Sequence, residues 1–317
     1  MDLSLNNLWA VLAINAFSVA MLLTWYSYGY RSVITDHANN RSLHQGKAVT
    51  GGGVLMFLPL CVSLWWINPS YWPAYILLAI SLLGLADDKF DLSFKLRLLI
   101  QTVLIVVCLI YFEFALGLLF VFLTFACLWW VNLFNFMDGA NGMAGLHSLV
   151  VAVFYGYIFQ ESDMAFVSLS LLATVIIVYL VFNLYLKRLF MGDSGSLPMA
   201  MLLAIFAFDA LQSGLLSYYQ VALVHGAFIT DTTLTLWVRL KKGENITQAH
   251  ATHLYQRLVK SQSAHSTVSA FYAIVTALLC LLAIAMDDSS RMIQISTLII
   301  SYALLVLIFM KYFRIGR

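Results

Sequence analysis

Charged residues are scarce in this sequence of 317 residues, where they make up 10% of the chain while hydrophobic residues make up 62%. Such a composition excludes a disordered chain and an ordinary soluble domain, and it indicates a polytopic membrane protein. The net charge of +2 is too small to indicate nucleic acid as a partner. We therefore expect a membrane protein that binds no nucleic acid.

Cysteines are also few, and all four stand singly within apolar runs: Cys61, Cys108, Cys127 and Cys280. None has CxxC spacing, which argues against a metal cluster or a disulfide framework, so we interpret them as small hydrophobic residues. A basic leader is missing too, since Asp2 precedes a long apolar run with no small-residue cleavage site. We expect that run to be a retained first span.

Long apolar runs are what the sequence has in abundance. Runs of about 16 to 24 residues, long enough to cross a membrane as helices, lie at about 5–28, 51–67, 71–86, 96–112, 117–133, 145–160, 164–186, 196–210, 215–238, 267–286 and 292–312. The predicted fold class is an all-α integral membrane protein with a single bundle of about eleven transmembrane helices. Residues 1–317 are expected to form one polytopic domain.

The basic residues are distributed asymmetrically. When the connections are assigned alternately to two sides, all of the 17 basic residues except Arg291 fall on one side. Such an excess marks the cytoplasmic side, so we predict an N-terminus outside the cell and a C-terminus in the cytoplasm. The cytoplasmic loops, where we expect the chemistry, are then 29–50, 87–95, 134–144, 187–195 and 239–266.

The acidic loop ADDKFDLSFKLR contains three carboxylates, Asp87, Asp88 and Asp91. Adjacent side chains on a helix point about 100° apart, so one carboxylate can face a cation while its neighbour orients another group. Lys95 and Arg97 follow at a distance suited to phosphate oxygens. The alternative is a solvated charged loop, although three carboxylates contribute nothing to membrane orientation.

The loop NLFNFMDGANGMAG repeats polar side chains every three residues, at Asn132, Asn135, Asp138 and Asn141. This spacing places them near one another on a helical stripe, which the following glycines allow to unwind. Carboxylate and amide oxygens suit Mg²⁺ or Mn²⁺, and amides also recognise nucleobase edges. An Asn/Gly-rich turn with a helix cap is the alternative, but it leaves Asn132 and Asn135 unexplained at the end of a span.

The turn FMGDSGSLP precedes the eighth apolar run and contains Asp193. We predict Ser196 as the N-cap of the next helix and Pro198 in its first turn. A helix start favours anions, so Asp193 with a bound cation can organise a pyrophosphate. A plain turn with a helix cap is the alternative.

The most basic loop, residues 239–266, contains His250, His253 and Arg257, which we expect to share a helix face suited to phosphate or sugar hydroxyls. A zinc pair is weakly indicated because no third ligand is nearby, and an amphipathic surface helix is also possible. Asp231 and His225 lie within the ninth apolar run. An intramembrane Asp indicates function by default, although pairing with a neighbouring helix is the alternative.

Three consecutive glycines, Gly51 to Gly53, open the second apolar run where a helix former is expected. Glycines permit a close approach of the backbone to a ligand or to another helix. The sequence leaves both alternatives open.

The four ordered motifs ADDKFDLSFKLR, NLFNFMDGANGMAG, FMGDSGS and HATHLYQRL strongly resemble the polyprenyl-phosphate N-acetylhexosamine-1-phosphate transferases, and most of all the bacterial branch that starts O-antigen and related glycans. The resemblance implies attack by undecaprenyl phosphate on the β-phosphorus of a UDP-N-acetylhexosamine, with release of UMP and a requirement for Mg²⁺ or Mn²⁺. It also implies a multi-pass protein of the bacterial inner membrane with a cytoplasmic active site.

The same resemblance implies roles for individual residues. Asp193 corresponds to the principal metal ligand and Asn135 to a second ligand, while Asp87 and Asp88 correspond to the catalytic pair. The remaining positions correspond to substrate-binding residues: Lys95, Arg97, Asn132, Asp138, Asn141, His250, His253 and Arg257.

Two departures from the family pattern stand out. Lys47 to Gly53 lacks the prolines usual before the glycines, which implies a less rigid loop, and Ala251 occupies a position that is often basic, which implies an altered choice of sugar. A transporter using His225 and Asp231 as a proton relay is the main rival, but we find no internal repeat of the kind it predicts. A CDP-alcohol phosphotransferase is disfavoured because Asp138-Gly139 is followed by Ala-Asn-Gly. The sequence does not identify the sugar or the oligomeric state.

Overall fold

The computed structural model describes residues 5–29, 34–37, 47–245, 251–261 and 263–315, and most of this part of the chain is helical. The helices are α1 Leu5–Thr24, α2 Gly53–Ile67, α3 Pro73–Phe90, α4 Phe94–Tyr111, α5 Leu118–Met137, α6 Met143–Ile158, α7 Asp163–Leu180, α8 Asp193–Gln212, α9 Tyr218–Val224, α10 Gly226–Lys241, α11 Leu254–Lys260, α12 His265–Ala285 and α13 Arg291–Ile315. This confirms the all-α membrane fold.

A small antiparallel hairpin is the one β-sheet that the described residues form. Strand β1, Thr35–His37, pairs with β2, Lys47–Val49, with Thr35 opposite Val49. Val49 also forms a parallel bridge to Leu189, so the hairpin is joined to the segment that leads into α8.

All eleven apolar runs form helices, but not all of these helices have the length and apolarity of an independent span. In the described part of the chain, seven helices pass that test, or eight if α9 and α10 together form one broken span. Helices α2 and α6 are short, with 15 and 16 residues. The count of eleven crossings and the orientation of the bundle remain predictions.

The ninth apolar run is bent, contrary to the single straight span expected. Helices α9 and α10 meet at an angle of 74° with His225 between them. Polar residues and a glycine interrupt this run, including Gln220, His225, Gly226 and Asp231, but its overall length suits a single span, and the sequence analysis therefore predicted no break.

Helix α8 lies at the centre of the bundle and is buried almost throughout, as expected for a helix that is apolar on every face. Its first turn is packed tightly by α2 and α3. A Cβ atom on Gly84 would lie 2.2 Å from the carbonyl oxygen of Asp193, and one on Gly53 would lie 2.1 Å from the backbone nitrogen of Gly195. Gly53 therefore serves a helix contact, which resolves the alternatives that the sequence left open for it.

Candidate active site

The first turn of α8 is held by a carboxylate from another helix. The N–H groups of Asp193 and Ser194 donate to the two oxygens of Asp88, at 3.0 and 3.1 Å. Asp88 lies near the end of α3 and thereby satisfies two of the unpaired amides of a helix start. The prediction of Ser196 as the N-cap is wrong, because Asp88 supplies this cap from 105 residues away.

Asp87, Asp193 and Arg97 form the centre of the cluster. The Nη1 atom of Arg97 donates to Asp87 and also, at 3.1 Å, to Asp193. One nitrogen of the Arg97 guanidinium therefore bridges the carboxylates of Asp87 and Asp193. The Asp87 side chain is only 7% exposed, against 26% for Arg97, so the carboxylate is reached through the guanidinium.

Asn135 connects α5 to this cluster. Its Nδ2 atom donates to Asp193 at 3.1 Å, and its Oδ1 atom accepts from the hydroxyl of Ser196 at 2.8 Å. Asn135 thus touches the proposed principal ligand directly. Its amide oxygen would face a cation beside Asp193 only if the amide were turned over, since the nitrogen occupies that side.

Asp138 follows the end of α5 and faces the same group of charges. Burial raises the pKa of its carboxyl well above the ordinary value, and the negative charges of Asp193 and Asp88 raise it further. Four carboxylates therefore act on one another here: Asp87, Asp88, Asp138 and Asp193. A cation or a shared proton would relieve their repulsion.

Asn132 lies apart from the carboxylates. Its Nδ2 atom donates to Oε1 of Gln101 and to the carbonyl oxygen of Leu128, both at 2.8 Å. Three-residue spacing rotates a side chain by about 60° around a helix, so Asn132 faces α4 while Asn135 faces α8. The predicted single stripe is thus divided between two helices, and a substrate-binding role for Asn132 remains a prediction.

The loop after α5 turns where the glycines predicted that it would. Gly142 has a φ of +83°, and its N–H donates to Oδ1 of Asn183 at 2.6 Å. Asn183 in turn donates to the carbonyl oxygen of Leu189 at 2.8 Å, which joins this loop to the segment before α8. The backbone of Asn141 contacts His265 and Ser269.

Asn183 is a residue that the sequence analysis missed. It lies in a π-helical turn, Val181–Tyr185, that continues α7. Such turns are frequent at functional sites. Its signal was an Asn within an apolar run, which requires a polar partner inside a membrane protein.

Helix α11 brings the basic loop to the end of α5. The hydroxyl of Tyr255 donates to the carbonyl oxygen of Phe136 at 2.9 Å, beside Gly139, where a Cβ atom would lie 2.2 Å from that hydroxyl. His253 immediately precedes α11 as its N-cap, so the expected common helix face of His253 and Arg257 is only approximate. Arg257 donates from Nε to the carbonyl oxygen of Thr252.

The remaining predicted site residues are His250 and Lys95. His250 lies outside the described residues. Lys95 is exposed in the first turn of α4, on the same helix as Arg97. Their substrate-binding roles remain predictions.

The cluster fits a divalent cation in charge and in ligand chemistry. The carboxylates of Asp87 and Asp193 approach each other, and a single guanidinium lies against them. No three His, Cys, Asp or Glu side chains of the described residues converge as a complete metal site. Mg²⁺ does not need such a set, because it commonly binds through one or two carboxylates together with substrate phosphates and water.

Comparison with known proteins identifies the same segment. Residues 72–210, which contain the whole acidic cluster and end before α11, match the family described as Glycosyl transferase family 4. An undecaprenyl-phosphate alpha-N-acetylglucosaminyl 1-phosphate transferase of Escherichia coli (strain K12) is 23% identical, with 94% of the chain and 88% of that relative covered. The protein of the same name from Yersinia pestis is 25% identical, with 84% and 81% covered.

A third relative has a different name. A phospho-N-acetylmuramoyl-pentapeptide-transferase of Leuconostoc citreum (strain KM20) is 28% identical, with 63% of the chain and 75% of the relative covered. Together the matches confirm the resemblance that the four ordered motifs predicted.

Proposed function

This chain is a relative of the polyprenyl-phosphate hexosamine-1-phosphate transferases, and from that premise we propose that it transfers N-acetylhexosamine 1-phosphate from a UDP-N-acetylhexosamine to undecaprenyl phosphate. An oxygen of the lipid phosphate forms a bond to the β-phosphorus of the donor. The bond from that phosphorus to the bridging oxygen breaks, and UMP leaves with the bond's electrons. The observation that carries the proposal is the contact of Asp87, Arg97 and Asp193 at the first turn of α8.

The carboxylates have separate tasks in this proposal. Asp88 keeps the first turn of α8 in place, because both of its oxygens are occupied by backbone amides. Asp87 is the member of the pair that faces Arg97: its Oδ2 atom accepts from that guanidinium, and its Oδ1 atom accepts from the N–H of Leu92 at 2.9 Å. In this proposal Asp87 accepts a proton from the lipid phosphate. Asp193 and Asn135 would hold Mg²⁺ or Mn²⁺, which neutralises the diphosphate when bound.

The basic and amide groups bind the donor. Arg97 is partly exposed and presents its guanidinium to the diphosphate oxygens, since planar fork geometry suits phosphate. Asp138 and Asn141 contact the uridine, while His253 and Arg257 contact the sugar and its phosphate.

The acceptor lipid lies in an apolar pocket beside α5. The pocket has a volume of about 350 Å³ and is lined by residues of α5, α8, α9 and α10 that include Phe122, Trp130, Leu133 and His225. It follows α5 from Phe122 to Leu133, a distance of about 16 Å at 1.5 Å per residue. Leu133 lies about 3 Å along the helix axis from Asn135, so a prenyl chain in this pocket ends at the axial level of the acidic cluster.

We place the reaction on the cytoplasmic face of a bacterial inner membrane, because the basic residues are concentrated on the loops of that side. The product is a lipid-linked sugar diphosphate, the starting unit of a surface glycan of the O-antigen type.

Transport of a phosphorylated or lipid-linked solute is the second candidate. The break between α9 and α10 favours it, because broken helices are typical of transporter binding sites. Transport requires no UMP release.

The test is UMP release by the purified full-length protein in detergent, given undecaprenyl phosphate and Mg²⁺, across a panel of UDP-sugars with and without EDTA. We expect release that needs the lipid, the metal and an N-acetylated sugar. Asp193→Asn should abolish it, whereas Asp209→Asn, the same change at the opposite end of α8, should retain it. Folded wild-type protein that releases no UMP from any donor contradicts the transferase and favours transport.

A further inference from the structure

A fully buried carboxylate outside the acidic cluster accounts for the position of α11. Asp231 lies on α10 with none of its surface exposed. One oxygen accepts from the N–H of Leu254 at 2.8 Å and from the hydroxyl of Thr235 at 3.2 Å. The other accepts from the N–H of Tyr255 at 3.1 Å and from the hydroxyl of Tyr272 at 2.6 Å.

Such a carboxylate is stable in the bundle only because of these partners. A buried ionised group costs several kcal/mol unless it is paired and hydrogen-bonded. Two of its four donors are the first two amides of α11, which a helix start leaves unpaired. The Nδ1 atom of His253, the residue before that helix, lies 3.7 Å from Asp231. Asp231 thus holds α11 as Asp88 holds α8.

The helix that Asp231 holds also contacts the last turn of α5, the helix that carries Asn135. Tyr255 donates to the carbonyl oxygen of Phe136, one residue after Asn135, and the ring of His253 stacks on the ring of Phe136 with centroids 6.0 Å apart. A shift of the first turn of α11 would move His253 and Arg257 relative to Asn135 and Asp138.

We propose that Asp231 is a positioning residue of the transfer reaction, which sets the register of α11 and so aims His253 and Arg257 at the donor sugar phosphate. This inference rests on the proposed function. It replaces the reading of Asp231 as a proton relay, because both carboxylate oxygens are already engaged by helix amides and hydroxyls. The interaction joins α10, α11 and α12, and no motif of adjacent residues records it.

The test compares Asp231→Asn with Asn15→Ala in the full-length protein in detergent. The side chain in Asp231→Asn keeps the same shape but has only one acceptor oxygen. It therefore loses the hydrogen bond to one of the two helix amides, that of Leu254 or that of Tyr255. Asn15 is also buried and hydrogen-bonded, to the carbonyl oxygen of Leu171 and the hydroxyl of Thr174, but it lies between α1 and α7. It therefore controls for loss of stability alone.

Two readouts separate positioning from general damage. Hydrogen exchange of residues 251–261 should accelerate in Asp231→Asn while exchange at the first turn of α8 stays unchanged. The KM for the nucleotide sugar should rise by about tenfold, with the KM for undecaprenyl phosphate changed by less than about twofold. Asn15→Ala should lower the thermal midpoint without this division between the two KM values.

A double variant with His253→Ala supplies a further criterion. If Asp231 acts through His253, the two effects on kcat/KM are not additive, as expected for residues in one network. Wild-type exchange in α11, or equal changes in both KM values, would overturn the proposal. A wild-type protein that releases no UMP would contradict the proposed function alone, because the exchange rates would still decide whether Asp231 holds α11.

Discussion

The guanidinium of Arg97 contacts carboxylates from α3 and α8. We expect its removal to lower activity more than the removal of an exposed basic side chain does. Arg97→Ala leaves Asp87 and Asp193 facing each other without a compensating charge, and breaking a partly buried ion pair in this way costs roughly 3 kcal/mol. We expect kcat/KM to fall on the order of a hundredfold. Steady-state UMP release measures it.

The matched control is Lys89→Ala. Lys89 is exposed one residue after Asp88, and its ammonium lies over the ring of Phe90, away from the carboxylates. Its removal changes the net charge equally, so we expect kcat/KM within about twofold of the wild type. Equal losses of kcat/KM in the two variants would show that Arg97 acts only through its positive charge and not through its contacts with Asp87 and Asp193.

The buried carboxyl of Asp138 should make the stability of the protein depend on pH. Burial raises the pKa of this carboxyl, so the folded protein holds the proton more tightly than the unfolded chain does. Stability should therefore fall as the pH rises from the ordinary carboxyl pKa of about 4 toward the raised value, because the unfolded state binds fewer protons in that window.

Asp138→Asn removes this titration and should flatten the dependence. Thermal unfolding in detergent with EDTA, between about pH 4 and pH 8, measures it in both proteins. If the two stability curves run parallel over that range, the charge of Asp138 is accommodated in the folded protein and our account of its burial is wrong.

At the scale of elements, the packing of α3 against the first turn of α8 depends on a missing side chain. A Cβ atom on Gly84 would lie 2.2 Å from the carbonyl oxygen of Asp193, and neither backbone has room to yield. Gly84→Ala should cost roughly 3 kcal/mol of stability, the upper range for overpacking, and should abolish UMP release by displacing Asp193. Thermal midpoint and activity measure the two effects.

The control for this change lies on α6. A Cβ atom on Gly156 would meet no atom within 4 Å, so Gly156→Ala should stabilise its helix by up to about 1 kcal/mol. Comparable losses in Gly84→Ala and Gly156→Ala would mean that the helices tolerate no added methyl group, whatever its surroundings.

The elements also show which parts of this protein can be predicted from its sequence. Apolar runs predicted the helices because membrane burial is a local property of each segment. The break at His225 was not predicted, because the run has the length of a single span despite the polar residues within it. The cap of α8 was assigned wrongly to Ser196, since Asp88 provides it from a different helix. The link from Asn183 to Gly142 likewise joins residues 41 positions apart.

The sequence likewise predicted some features of the candidate site and not others. Asp87, Asn135, Asp138 and Asp193 were identified by residue type and spacing, and the fold brings them together. The sequence could not indicate which groups each carboxylate contacts, because that depends on how the helices pack. Asp87 accepts from Arg97 and from the N–H of Leu92, whereas Asp88, its immediate neighbour, accepts from two backbone amides of α8.

For the whole molecule, the proposed orientation determines which substrates can reach the site. A UDP-sugar is a charged cytoplasmic metabolite in this proposal, so the first turn of α8 and α11 must face the cytoplasm. The connection between α12 and α13 should then lie outside. The asymmetry of basic residues supports this orientation, and chemical labelling tests it directly.

We expect Ser290→Cys to react with a membrane-impermeant thiol reagent in intact cells, since Ser290 is exposed in the connection between α12 and α13. Lys242→Cys, exposed at the end of α10, should react only after the membrane is opened. The wild type is the blank, because its four cysteines are buried and should stay unlabelled. Labelling of Lys242→Cys in intact cells, with Ser290→Cys protected, would show that the bundle has the opposite orientation. The acidic cluster would then lie outside the cell, where its proposed donor is absent, since a UDP-sugar does not cross the membrane unaided.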